Sequence, residues 1–164
     1  MIKFGTGGWR AVIADGFTKE NIRLLSQGFC NMIKDGGKEK LPVVIGYDRR
    51  FLSKEAAGWI GEVVAGNGIV AEIIDGESPT PLIMFTVKEH GLEYGMAVTA
   101  SHNPAIYNGI KVFMQGGRDA DEIMTQAFEG YIEQLEGQTV PAVPFAEGLA
   151  NGKIRLIDPM NEYV

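Results

Sequence analysis

The chain has 164 residues, 45% of them hydrophobic and 22% charged, with a formal net charge of −6. That length suits one domain with a short tail, and the composition supports a real core rather than disorder. The acidic balance argues against non-specific nucleic-acid binding, which needs a cationic face, but leaves room for a small anionic ligand held by a local cluster of donors.

Residues 3–13 are short, Gly-rich and not helical, with Gly5, Gly7 and Gly8 ahead of Trp9 and Arg10. Thr18 is placed to cap a helix to about Lys34, because Ile22, Leu25, Phe29, Met32 and Ile33 recur at helical spacing and Gly36-Gly37 follows. Val43-Val44-Ile45 reads as a buried parallel strand leading into Gly46-Tyr47-Asp48-Arg49-Arg50. Ser53 is placed to cap the next helix, with Ala56, Ile60, Val63 and Val64 on its inner face and Gly66 and Gly68 closing it. Residues 69–74 form a second strand. Pro79-Thr80-Pro81 opens a helix to about Glu89, with His90 as its C-terminal cap. A third strand runs over 94–98.

Residues 108–114 read as a fourth strand. The loop before it is too short for a parallel crossover, so this strand is expected to run antiparallel. A last helix is expected over 119–135, with Asp119, Asp121 and Glu122 in its first turn where the dipole favours them. Residues 137–148 read as a connector, and Lys153 to Ile157 as a final strand stopped by Asp158-Pro159. The alternation predicts an α/β fold: a three-layer α/β/α domain around a mixed, mostly parallel sheet whose last core strand is antiparallel. Cys30 is alone, so no intramolecular disulfide or cysteine-based metal site follows; it reads as a core residue. The N-terminus lacks a signal-peptide pattern and no apolar run approaches roughly 20 residues, so the expected location is cytoplasmic, with no membrane contact.

Three segments carry possible chemistry. In Thr99-Ala100-Ser101-His102-Asn103-Pro104, a hydroxyl sits on a loop leaving a strand, beside an imidazole and an amide, with Lys111 ten residues on. Such surroundings suit a covalently held phosphoryl group, which carries roughly −1.5 to −2 charge; they also suit a polar turn with a solvated lysine. In Phe4-Gly5-Thr6-Gly7-Gly8-Trp9-Arg10, glycines allow close approach of backbone N–H groups to an anion that Arg10 grips, or simply a structural hairpin. Asp48 and Arg50 stand two apart at a strand end, and read as an ion pair that shapes the neighbouring loop or as a solvated pair.

Taken together and in order, Phe4-Gly5-Thr6-x-Gly8-x-Arg10, Gly46-x-Asp48-x-Arg50 and Thr99-Ala100-Ser101-His102-Asn103-Pro104 with Asn108-Gly109-x-Lys111 resemble the α-D-phosphohexomutases, the phosphoglucomutase/phosphomannomutase family. Trp9, Ala11 and Gly7 depart from the family's usual neighbours of the arginine. The resemblance implies that Ser101 is the phosphoserine, that a hexose 1-phosphate and a hexose 6-phosphate interconvert through a bisphosphorylated sugar, and that hexose 1,6-bisphosphate is the activator or intermediate. It implies catalytic roles for Ser101, His102, Lys111 and Arg10, phosphate or substrate contacts for Thr6, Gly8, Asn103 and Arg50, and Mg²⁺ bound through the Ser101 phosphate. The family's metal-binding Asp-Gly-Asp-x-Asp-Arg run is missing here. Residues 1–158 are therefore expected to be the first, phosphoserine-bearing domain, and residues 159–164 the start of a linker to a second. Its partners would be a phosphorylated hexose and three further domains. Alone it is expected to be inactive; the alternatives are a non-catalytic phosphosugar- or anion-binding module and a stand-alone phosphocarrier.

Overall fold

The computed structural model describes residues 2–5, 8–100 and 102–163. Ser101 and Thr6 lie outside the described residues. The element order is β1 (Gly8–Val12), α1 (Lys19–Asp35), β2 (Val43–Tyr47), α2 (Ser53–Gly66), β3 (Ala71–Ile74), α3 (Thr80–Glu89), β4 (Tyr94–Val98), β5 (Tyr107–Met114), β6 (Arg118–Asp119), α4 (Glu122–Glu133), α5 (Phe145–Asn151), β7 (Ile154–Ile157) and α6 (Met160–Tyr163). Among the described residues, the strands form one sheet in the order β1-β5-β4-β2-β3-β7, with β6 on β5.

The parallel run is β4-β2-β3-β7, and β5 pairs antiparallel with each of β4, β1 and β6. Every strand except β5 therefore points the same way, as a short β4–β5 loop requires. The predicted mixed sheet with one antiparallel core strand is what the chain forms. β2 is buried along its whole length, consistent with helices on both of its faces.

The two faces are unequally covered. α1 packs against both α2 and α4 over one face, around Phe29, Phe128, Ile22, Leu25 and Ile60. α3 covers the other face, burying Leu82, Ile83 and Val87 against Val44, Ala97 and Phe113. α3 reaches β2, β4 and β5, and α6 packs on α3. Thr18 caps α1 as expected, accepting from the Asn21 amide at 3.2 Å. His90 holds the C-cap position of α3. Among the described residues, no helix is long and apolar enough to cross a membrane.

Three expectations are corrected. The helix placed at 119–135 starts at Glu122, with Asp121 as its cap accepting from Met124 N at 2.8 Å. Gly116 and Gly117 turn with φ of 86° and 73° and fold residues 118–119 back onto β5 as β6. At Gly117 a side chain would also meet the Met84 carbonyl at 2.3 Å, so the turn is tied to α3. The connector at 137–148 contains the start of α5, which packs on α2 and β7. β7 ends at Ile157, ahead of Asp158-Pro159 as expected, and α6 follows from Met160. Ser53 is the first residue of α2 and not its cap; Leu52 takes that position with φ of 69°, and the Ser53 hydroxyl is used elsewhere.

Candidate functional site

The loops that leave β2 and β4 emerge at the carboxyl end of the parallel strands, where sheets of this kind place ligands. The 99–107 loop follows β4 and the 48–52 loop follows β2, and β2 and β4 are neighbours. They are joined by side chains. The Arg50 guanidinium donates to the carbonyl oxygens of Asn103, of Pro104 at 2.9 Å and of Tyr107 at 2.9 Å. Arg50 is itself oriented by Asp48, whose carboxylate accepts from the Arg50 amide at 2.9 Å and lies 3.9 Å from Nε. A planar fork with several donors suits this task, as a single ammonium does not.

The same Asp48 oxygen accepts from the Ser53 hydroxyl at 2.7 Å. Ser53 Oγ in turn accepts from the Asn108 amide at 2.9 Å, and that amide also donates to the Phe51 carbonyl at 3.1 Å. Asn108 Oδ1 accepts from the Gly109 amide at 2.8 Å. Ser53 and Asn108 are fully buried, so each needs these partners. Thus Asp48, Arg50, Ser53 and Asn108 form one network that fixes the segment 103–108, where the β4–β5 loop enters β5. Leu52, left-handed at the elbow of this network, is a strained position for a branched residue.

Arg10 and Lys111 are set by the β1–β5 register. Gly8 faces Lys111 and Arg10 faces Gly109. Residues two apart in a strand share a face, so Gly8, Arg10, Gly109 and Lys111 all lie on one side of the sheet. Each cation therefore stands opposite a glycine. A Cβ at Gly8 would lie 3.3 Å from Lys111 Cγ, and one at Gly109 would lie 3.0 Å from Arg10 Cγ and 2.1 Å from the Trp9 carbonyl. The missing side chains make room for two long cationic stems lying across adjacent strands. Arg10 is exposed, and Lys111 Nζ lies 3.2 Å from Asp119 Oδ1.

On the opposite face, Trp9 is buried and its ring stacks on Phe17 at 5.7 Å. The segment ahead of β1 is fastened by α4: the Phe4 amide donates to the Glu129 carboxylate at 2.5 Å, and the Phe4 ring packs 4.9 Å from that of Phe128. Gly5 N donates to the Gly8 carbonyl at 2.8 Å.

The structure thus brings Arg10, Gly8 and Lys111 onto one face and binds Arg50 to Asn103 through the backbone. His102 is exposed at the loop's surface, and Asn103 is half-buried. The sequence reading placed Asn108 in the motif and Ser53 at a helix start, and missed that the two join Asp48 in one buried network. Among the described residues, no group of three or more His, Cys, Asp or Glu side chains could hold a metal ion. The donor set on these residues therefore does not make a metal cage.

A family model described as "Phosphoglucomutase/phosphomannomutase, alpha/beta/alpha domain I" matches residues 1–139. A phosphoglucomutase of Staphylococcus saprophyticus is 34% identical over 160 residues, covering 94% of this chain and 29% of that protein. A probable phosphoglucosamine mutase of Thermococcus gammatolerans is 33% identical over 163 residues, covering 98% of this chain and 33% of the relative. The crystal structure of a putative phosphomannomutase from Thermus thermophilus superimposes with a TM-score of 0.86 at 30% identity, covering 99% of this chain and 34% of that one. The chain spans about a third or less of the length of these relatives. It belongs to the phosphoglucomutase/phosphomannomutase family and is that family's α/β/α domain I.

Proposed function

We propose that this chain is the phosphoserine-bearing domain of a phosphohexomutase, with Ser101 as the phosphoryl carrier between hexose 1-phosphate and hexose 6-phosphate. The observation that carries the reading is the placement of Arg10 and Lys111 on one open sheet face, each opposite a glycine, beside a β4–β5 loop whose far end is held by Arg50. Two cations on that face, beside a loop held by Arg50, supply positive charge for a transferring phosphoryl group, the main catalytic resource for such reactions.

In this reading the bond from phosphorus to Ser101 Oγ breaks as a bond to a sugar hydroxyl oxygen forms. The sugar hydroxyl gives its proton to a base while Ser101 Oγ takes one up from an acid, so the step frees a serine hydroxyl with no net change in protons. Reversal at the sugar's other phosphate restores the phosphoserine, so the bisphosphorylated sugar is the intermediate. Arg10 and Lys111 stabilise the phosphoryl charge, His102 exchanges or orients protons at the loop, and Thr6, Gly8 and Asn103 contact phosphate or sugar. Arg50 serves the same site by holding the loop's carbonyls. Mg²⁺ on a phosphoryl oxygen would neutralise charge, with its carboxylate ligands supplied from outside the described residues. Residues 159–164 would lead toward the further domains that complete the sugar site, and the protein would work in the cytoplasm.

The test is intact mass. Incubated with glucose 1,6-bisphosphate, the purified chain gains one phosphoryl group, located at Ser101 by fragmentation, and Ser101→Ala gains none. The same wild-type sample, offered glucose 1-phosphate, gives no sustained glucose 6-phosphate production. A phosphoryl group on another residue overturns the assignment of Ser101, and steady turnover overturns the dependence on further domains.

A further inference from the structure

Lys111 leans away from the loop it is expected to serve. In the β4–β5 register, Val98 faces Ile110, Ala97 faces Lys111 and Gly95 faces Phe113, so Phe113 lies two residues further from the loop than Lys111 does. Asp119 stands opposite Phe113 on β6. At about 3.3 Å per residue, Asp119 is roughly 7 Å further down the sheet than Lys111 and about 13 Å below Thr99. The Lys111 ammonium nevertheless lies 3.2 Å from Asp119 Oδ1 and 5.8 Å from the centre of the Phe113 ring. Its stem lies toward β6 and not toward the loop.

The placement of Asp119 is built into the fold. It depends on the Gly116-Gly117 turn, and Gly117 packs so closely on the Met84 carbonyl that no side chain fits there. The ion pair is half in solvent, with Lys111 and Asp119 side chains 22% and 48% exposed. Such a pair is weak, holding a lysine in one of two positions at little cost. A phosphoryl group carries up to twice the charge of a carboxylate and displaces it in competition for an ammonium.

We propose that Asp119 is a positioning residue that parks Lys111 at the far end of the site, and that a phosphoryl group at the loop draws the ammonium away from it. Asp119 thereby lowers the affinity of the resting site for anions and makes the cation available when a phosphate arrives. This rests on the reading of the 99–104 loop as the phosphoryl site.

The experiment titrates inorganic phosphate into the 164-residue chain and follows the Lys111 ε-methylene resonance, assigned by its loss in Lys111→Met. Asp119→Asn keeps the shape and removes the charge; it is expected to bind phosphate about two- to fivefold tighter, the range that an exposed pair supports. Asp119→Glu restores wild-type affinity. In the Lys111→Met background, Asp119→Asn gives no gain, which separates release of Lys111 from a general loss of negative charge. In wild type, the Lys111 resonance shifts as phosphate binds, toward its position in free Asp119→Asn. Unchanged affinity in Asp119→Asn, a gain that persists without Lys111, or no phosphate binding in any variant each overturns the proposal. If these phosphate effects appear while glucose 1,6-bisphosphate fails to phosphorylate Ser101, the phosphoserine assignment falls and the parking of Lys111 stands.

Discussion

At Arg50 one guanidinium holds three carbonyl oxygens of a neighbouring loop, and the consequence is a difference between arginine and lysine that net charge does not predict. Arg50→Lys keeps the charge but offers a compact ammonium where a fork is needed, leaving carbonyls of Asn103, Pro104 and Tyr107 to water. The expected loss is about 1.5–3 kcal/mol of stability. It should be visible as a lower denaturant midpoint with an unchanged slope, together with faster amide exchange over residues 99–107. The arginine was legible in the sequence, because Asp48-x-Arg50 follows an apolar run. Its partners were not, because they are backbone atoms more than fifty residues away. Ser53 was legible as a polar residue at a helix start, and local sequence favours a cap there; a buried bond to Asp48 won instead.

At the scale of the elements, β1 and β5 show how a strand can exist with little strand propensity. Residues 8–12 hold no run of β-branched side chains, and the sequence alone left them as a non-helical segment. What makes them a strand is the partner: Gly109 lets the β1 backbone approach, and the buried Trp9 secures the other face. Gly109→Ala would place a methyl group 2.1 Å from the Trp9 carbonyl, against backbone that cannot rotate away. The expected cost is about 1–3 kcal/mol, the usual range for overpacking. Because the displaced strand carries Arg10, phosphate affinity should fall along with thermal stability. A variant that loses stability and keeps full phosphate affinity would refute the link between the register and the site. The central strands at 43–45 and 94–98 and the antiparallel turn into β5 were readable, since apolar runs between Gly and Pro leave few alternatives; β2 runs on to Tyr47. α5 was not, because Gly148 sits mid-helix and prolines precede it; only packing on α2 and β7 makes it a helix.

For the whole molecule, the core under α1 offers a titration that reports on global folding. Cys30 is fully buried, and burial pushes its thiol up to about 12, with the Lys34 ammonium acting the other way. Between about pH 9 and pH 12 the unfolded chain loses this proton while the folded chain keeps it. The unfolded state then binds fewer protons, so stability falls as pH rises across that window and is unaffected by this group below it. The slope from one thiol is at most about 1.4 kcal/mol per pH unit. Urea midpoints at pH 8 and pH 10 should drop more for wild type than for Cys30→Ala; an equal drop would show that the thiol does not carry that slope.

The unequal cover of the sheet has one more consequence. Where α3 stops short, the sheet shows glycine, arginine and lysine instead of valine and isoleucine. That patch is wettable. Bare apolar sheet would demand a permanent lid and would aggregate without one. A surface of this composition is at ease in water, so whatever covers it can come and go without a hydrophobic penalty, and the fold keeps its shape through each exchange.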